Sequence, residues 1–120
     1  MNPEIKAKWV AALRSGNYPQ TKKVLRDSKG FCCYGVLCDL YAQEHLQEAE
    51  WTSNSSHYVF GMHLNNTFYN RAVMPPVHVF DWADGGNIVI SDQGEPVSLD
   101  ALNDEGVSFD EIANLIEKYL

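Results

Sequence analysis

The sequence predicts an α+β fold, with terminal helices packed on a short antiparallel sheet in one domain spanning residues 1–120. Three observations carry this expectation. Apolar residues recur at helical spacing near both ends, at Ile5, Trp9, Ala12 and Leu13 and again at Phe109, Ile112, Leu115, Ile116 and Tyr119. Between them, the runs Tyr58-Val59-Phe60, Thr67-Phe68-Tyr69 and Ile88-Val89-Ile90 are short, aromatic or β-branched, and bounded by turn residues. An apolar share of 45% over 120 residues is that of a globular chain with a single core.

Each element follows from local chemistry. Asn2 is placed to cap the first helix, Pro3 suits its first position and Gly16 stops it. Asn17 to Gln20 reads as a turn, Val24-Leu25 as a short strand and Asp27-Ser28-Lys29-Gly30 as a second turn. A helix from Cys33 to Leu46 carries Val36, Leu37, Leu40 and Tyr41 on its buried face, with Asp39, Gln43 and Glu44 toward water. Residues 49–57 read as a polar loop. The two aromatic runs form strands joined through Gly61 to Asn66. Pro75-Pro76 opens a short helix with Val77, Phe80 and Trp82, ended by Gly85-Gly86. Ile88 to Ile90 is a strand, Asp92 to Gly94 a turn, and Pro96-Val97 the return on an edge. Ser98 caps one turn through Asn103, and Ser108 with Glu111 forms a capping box for the last helix.

Charge is divided along the chain. Residues 1–30 hold Lys6, Lys8, Arg14, Lys22, Lys23, Arg26 and Lys29 against Glu4 and Asp27, a net of 7 − 2 = +5; residues 31–120 hold Arg71 and Lys118 against fourteen carboxylates, a net of 2 − 14 = −12. The overall −7 argues against general nucleic-acid binding, which calls for a basic face. No apolar run is long enough to span a bilayer, and Lys6 and Lys8 interrupt any signal-peptide centre. The expectation is a cytoplasmic protein with no membrane partner. Cys32, Cys33 and Cys38 are an odd, clustered set, which suits reduced thiols better than disulfides.

The basic run Lys22, Lys23, Arg26 and Lys29 is the leading candidate site. It precedes a helix whose N-terminal amides would face the same region, and such amides bind phosphate. Arg offers a planar fork for phosphate oxygens. Tyr18, Tyr34 and Trp82 are candidates for stacking on a base, and Arg71 completes the set if the fold brings it there. No phosphate-loop motif is present. His45, His57, His63 and His78 lack the spacing of a zinc site, so neither a metal nor a cofactor is expected. The acid pairs Asp81/Asp84 and Asp104/Glu105 read as solvated turn residues before proton-transfer groups.

The stretches W-V-A-A-L-R-S-G-N-Y (9–18), F-C-C-Y-G-V-L-C-D-L (31–40), M-P-P-V-H-V-F-D-W-A (74–83) and L-N-D-E-G-V-S-F-D-E-I-A-N-L-I-E (102–117) resemble a family of small, uncharacterised tailed-phage proteins. Tyr34 stands where that family often has leucine. The resemblance implies an accessory protein made in an infected bacterium, and it carries no catalytic residue with it. A second resemblance links Gly30-Phe31-Cys32-Cys33-Tyr34-Gly35 to the Gly-Phe-Asp-Cys-Ser-Gly stretch of papain-like cell-wall endopeptidases. It implies Cys33 as nucleophile and His78 as base, with Cys32 in place of the aspartate.

Charge and resemblance together lead to the expectation of a non-enzymatic protein that sequesters a small phosphorylated ligand, a nucleotide immune signal. The alternatives are an acidic inhibitor docking on a host enzyme and a cysteine hydrolase using Cys33 and His78. The aromatic face of the last helix also offers a surface for self-association.

Overall fold

The computed structural model describes residues 1–84, 89–92 and 95–120, the side chains of 89–92, 95 and 96 excepted. Helix α1 (Pro3–Arg14) starts where the sequence places it: the Asn2 side chain accepts from the Glu4 and Ile5 amides, and Gly16 past its end takes a left-handed φ of 77°. The strands β1 (Arg26–Asp27) and β2 (Gly30–Phe31) form a minimal hairpin. The expected strand at Val24-Leu25 is displaced two residues along the chain. Leu25 is a fully buried side chain, its N–H bonds Ala72 O, and its carbonyl accepts from Cys32 N–H.

Helix α2 (Cys33–Glu44) ends two residues before the expected Leu46, which is exposed. Three strands follow, β3 (Ala49–Ser53), β4 (Tyr58–Leu64) and β5 (Thr67–Arg71), paired antiparallel in the order β3-β4-β5. Here two expectations are corrected. Residues 49–53 are a strand, with Ala49 and Trp51 turned inward between Glu50 and Thr52. The connection expected at Gly61 to Asn66 is a two-residue turn, Asn65-Asn66, both at positive φ (49° and 64°), so β4 runs on to Leu64.

Helix α3 (Val77–Trp82) follows Pro76. The glycines expected to stop it, Ile88 and the turn at 93–94 lie outside the described residues. Strands β6 (Val89–Asp92) and β7 (Glu95–Ser98) pair antiparallel, and helices α4 (Leu99–Asp104) and α5 (Phe109–Tyr119) complete the chain. Ser108 caps α5 through the Glu111 amide at 3.2 Å. The fold class is α+β as expected, but among the described residues its strands form three small antiparallel sheets and not one. Among the described residues, no helix is long and apolar enough to cross a membrane.

The core joins α1, α2 and α5 through Trp9, Leu13, Val36, Leu37, Ile112 and Ile116, with Phe60 and Met62 from the sheet. Burial of each such large side chain contributes about 1.5–3 kcal/mol. Two close approaches fix α2 and the strand β2 before it. A Cβ at Gly35 would lie 1.8 Å from Leu25 O, and one at Gly30 would lie 2.1 Å from Pro19 O. The second device is polar. Asn103 is fully buried; its Oδ1 accepts from Gln20 Nε2 (2.9 Å) and Cys33 N–H (3.2 Å), and its Nδ2 donates to Thr21 O (2.8 Å).

Asn103→Ala leaves two buried groups, Cys33 N–H and Thr21 O, without this partner and is expected to destabilise the protein by about 3 kcal/mol, at roughly 1–3 kcal/mol per group. Urea denaturation followed by tryptophan fluorescence reads this; an unchanged midpoint contradicts the role given to Asn103.

Candidate functional site

The basic residues of the first thirty have different surroundings among the described residues. On α1, Lys8 pairs with Glu44 at 2.5 Å and Arg14 with Glu117 at 3.0 Å. Lys22 reaches toward Gly106 in the α4–α5 turn, and the Lys23 amide donates to Asp104 Oδ1 at 2.7 Å, which holds Lys23 at φ 72°. Arg26 and Lys29 lie on the β1–β2 hairpin.

Arg26 has the most specific surroundings. Its guanidinium lies 4.1 Å from the ring centre of Tyr58, 4.7 Å from Phe31 and 5.6 Å from Trp51. Rings around a guanidinium attract its charge and restrict its motion without neutralising it. Among the described residues it has no carboxylate within 4 Å and no side-chain hydrogen bond. The nearby Asp27 is already engaged: Oδ1 accepts from the Lys29 and Gly30 amides and Oδ2 from the Thr21 hydroxyl. Burial works to raise the Asp27 carboxyl, but these bonds and the Lys29 charge hold it below its usual range.

The rings around Arg26 are themselves braced. Phe31 meets Tyr18 edge-on at 5.0 Å and Trp51 at 5.9 Å. Asp39, on α2, accepts from the Tyr18 hydroxyl (2.5 Å), Trp51 Nε1 (3.0 Å) and Gln43 Nε2 (3.0 Å). Tyr18 is pushed up to about 12, first by burial and then by Asp39.

Beside this cluster, Ser28, Ser53, Asn54, Ser55, Ser56, His57 and Tyr58 line a polar cavity of about 170 Å³. Its loop is built on Asn54, whose Oδ1 accepts from the Ser56 and His57 amides. That fixes the side-chain amide, so Asn54 Nδ2 donates to His57 Nε2 at 3.2 Å. In the neutral imidazole the proton then sits on Nδ1 and is donated to Ser56 Oγ at 2.9 Å. His57 is therefore oriented as a donor toward Ser56 and does not act as its base.

The remaining candidates fall elsewhere. Tyr34 is 2% exposed and packed between Trp9 and Phe80, so it presents no face for a ligand. Trp82 packs on Tyr41 and His45, away from the Arg26 cluster. Arg71 is exposed at the end of β5, and the Leu25–Ala72 hydrogen bond brings its backbone beside the run 22–26. The N-terminus of α2 is closed to anions at two amides: Cys33 N–H is taken by Asn103, and Gly35 N–H by Cys32 Sγ at 3.3 Å.

The hydrolase assignment meets the same obstacle. Cys33 is fully buried, its thiol bonds Leu99 O at 3.6 Å, and burial pushes that thiol well above its usual value. A nucleophile needs the reverse. His78 lies against Tyr69, and its buried Nδ1 has no hydrogen-bond partner among the described residues.

Phe31, Trp51, Tyr58, Asp39 and the Asn54–His57 loop went unassigned as site residues from the sequence. A signal for Trp51 was present: Ala49 and Trp51 alternate with Glu50 and Thr52, the period of a strand.

A family model matches the chain over residues 1–120, that of DUF8296, a domain of unknown function. No curated protein and no solved structure matches it.

Two measurements follow from this geometry. Cys33 and Cys38 are fully buried with raised thiols, so a thiol reagent at neutral pH labels them only after denaturation; rapid labelling of the folded protein contradicts their placement. Tyr18 holds its proton more tightly folded than unfolded. Its contribution to stability is complete below pH 10.0 and is lost as the pH rises through about 12. An alkaline absorbance titration of the protein against Tyr18→Phe shows one late-titrating phenol missing from the variant; a missing phenol that titrates at or below 10.0 contradicts it.

Proposed function

We propose that this chain, which belongs to the DUF8296 family, is a non-catalytic binding protein that captures a small phosphorylated ligand at Arg26. One observation carries the reading: a guanidinium set among three aromatic rings, with no carboxylate partner among the described residues, in a chain of net charge −7. An acidic protein has carboxylates in plenty to neutralise its cations, and it does so at Lys8 and Arg14. An arginine left without one favours an anion from outside. Its fork suits phosphate oxygens bidentately. Lys29 and the hydroxyls of Ser28, Ser53, Ser55 and Ser56 would add contacts, and Tyr18, Trp51 and Tyr58 would supply edges and faces for a base. Lys22, Lys23 and Arg71 would act at longer range, by attraction.

The likeness of four stretches to small tailed-phage proteins extends this reading. The ligand would be a nucleotide signal of an infected bacterium, tied up in its cytoplasm and released intact. Non-catalytic capture is supported by the buried thiols and by the orientation of His57 toward Ser56.

A different feature favours a second reading. Ten of the sixteen carboxylates fall in residues 81–120, against Lys118 alone, which would let the C-terminal part dock on a basic host enzyme. Such a partner would be lost from a pull-down at high salt while the ligand-binding arm stays silent.

Calorimetric titration with a panel of mono-, di- and cyclic nucleotides and inorganic phosphate tests the first reading. Binding is expected, with intact ligand recovered after heat denaturation. Arg26→Ala weakens it about 10- to 100-fold, as loss of charge-assisted hydrogen bonds predicts, while Lys22→Ala changes it little. No binding across the panel, or binding that Arg26→Ala leaves unchanged, overturns the assignment.

A further inference from the structure

The polar cavity beside Arg26 lies between two hairpins: Ser28 reaches it from the β1–β2 turn, and the rest of its lining comes from the end of β3, the turn that follows and the start of β4. These are the hairpins whose rings surround Arg26. Tyr58 belongs to both places, since it lines the cavity and its ring centre lies 4.1 Å from the guanidinium. Four of the seven lining residues are serines, and none carries a carboxylate, an ammonium or a guanidinium. The hydroxyls of Ser28, Ser53 and Ser55 have no hydrogen-bond partner among the described residues.

The fourth hydroxyl, on Ser56, is aimed. Asn54 N–H closes the turn onto His57 O at 2.9 Å. Its side-chain Nδ2 donates to His57 Nε2, and His57 Nδ1 donates in turn to Ser56 Oγ. Having accepted that bond, Ser56 keeps its own O–H for a further acceptor, and no described residue takes it. Hydrogen bonds in series polarise one another, so the last donor of such a relay is strengthened. The relay starts at an amide that cannot turn round, because Asn54 Oδ1 is held by the Ser56 and His57 amides.

We propose that this cavity is a sugar subsite: resting on the reading of Arg26 as a phosphate site, it takes the hydroxyls of a ribose phosphate, with Ser56 donating to a sugar oxygen. Charge separates the two halves of the ligand. The uncharged lining offers nothing to a phosphate dianion, which goes to Arg26, while serine hydroxyls both donate and accept and so match the hydroxyls of a sugar. Size fits one ring. A volume of about 170 Å³ equals roughly six waters at about 30 Å³ each, room for a sugar and not for a sugar with its base. A base calls for apolar or aromatic walls, and Tyr58 is the only aromatic ring of the lining apart from the hydrogen-bonded His57. Ribose is preferred to deoxyribose, since a missing hydroxyl leaves its serine without a partner in the complex.

Calorimetric titration of the full chain with inorganic phosphate, ribose 5-phosphate and 2-deoxyribose 5-phosphate tests this at pH 8, above the range where histidine takes up its proton. Ribose 5-phosphate is expected to bind about 30-fold more tightly than inorganic phosphate and about 10-fold more tightly than the deoxy sugar, as the loss of a few neutral hydrogen bonds predicts. Ser56→Ala is expected to remove most of that advantage and to leave inorganic phosphate binding unchanged; circular dichroism checks that the variant folds. Nitrogen-15 spectra of His57 read the relay directly. A protonated Nδ1 and a bare Nε2 are expected, with the Nδ1 signal moving on addition of ribose 5-phosphate and staying still in Ser56→Ala. Equal affinity for all three compounds, or no binding of ribose 5-phosphate where phosphate or a nucleotide binds through Arg26, overturns the sugar subsite and leaves the reading of Arg26 standing. No binding of any phosphate compound overturns both. A preference for ribose that survives Ser56→Ala, with an unmoved Nδ1 signal, overturns its assignment to this cavity.

Discussion

A single buried side-chain amide ties this fold together. Asn103 comes from α4, near the C-terminal end of the chain, yet its partners are Gln20, Thr21 and Cys33. It accepts at the first turn of α2 and donates to the connection that leads out of α1. Three segments far apart in sequence thus share one hydrogen-bonding centre, fully out of water. A buried amide is costly unless its groups are met, so the geometry around it admits little variation. The close approach of Gly35 to Leu25 O works in the same direction, because α2 can sit there only if no Cβ intervenes. Trp9 closes the arrangement by donating to Cys33 O at 3.0 Å.

That constraint bears on the site. The N-terminus of α2 looks in sequence like an anion-binding element, with glycine and free amides after a basic run. In the folded chain Asn103 and the Cys32 thiol take its Cys33 and Gly35 amides, and the helix start becomes part of the core. The candidate site is then the β1–β2 hairpin that precedes it. There Arg26 is aimed by aromatic rings, and those rings are held in turn by Asp39. Two carboxylates beside the candidate site are occupied: Asp27 by its own turn and by Thr21, Asp39 by Tyr18, Gln43 and Trp51.

Helices were the most legible elements in the sequence, because their signals are local. Asn2 and Ser108 cap the helices they precede, and the start of α2 falls at Cys33 as the pattern indicates. Strands were less legible. Ala49–Ser53 is polar enough to read as a loop, and it becomes a strand because β4 supplies its hydrogen-bond partners. The site was partly legible. Arg26, Lys29 and Tyr18 were identifiable from charge and residue type, whereas Tyr34 was misplaced because exposure depends on which neighbours pack over a residue. Phe31, Trp51 and Tyr58 converge on Arg26 from two separate hairpins, a convergence no local pattern encodes.

The sequence by itself determined the α+β class, the ends of the helices and the separation of positive from negative charge, since caps, periodicity and composition act over a few residues. Only the tertiary structure decided which cations are neutralised, which aromatic rings are buried and that amides at the start of α2 are taken from within. Those outcomes turn on contacts between residues twenty to a hundred positions apart, such as Arg14 with Glu117 and Cys33 with Asn103, and such contacts exist only once the core has brought the segments together.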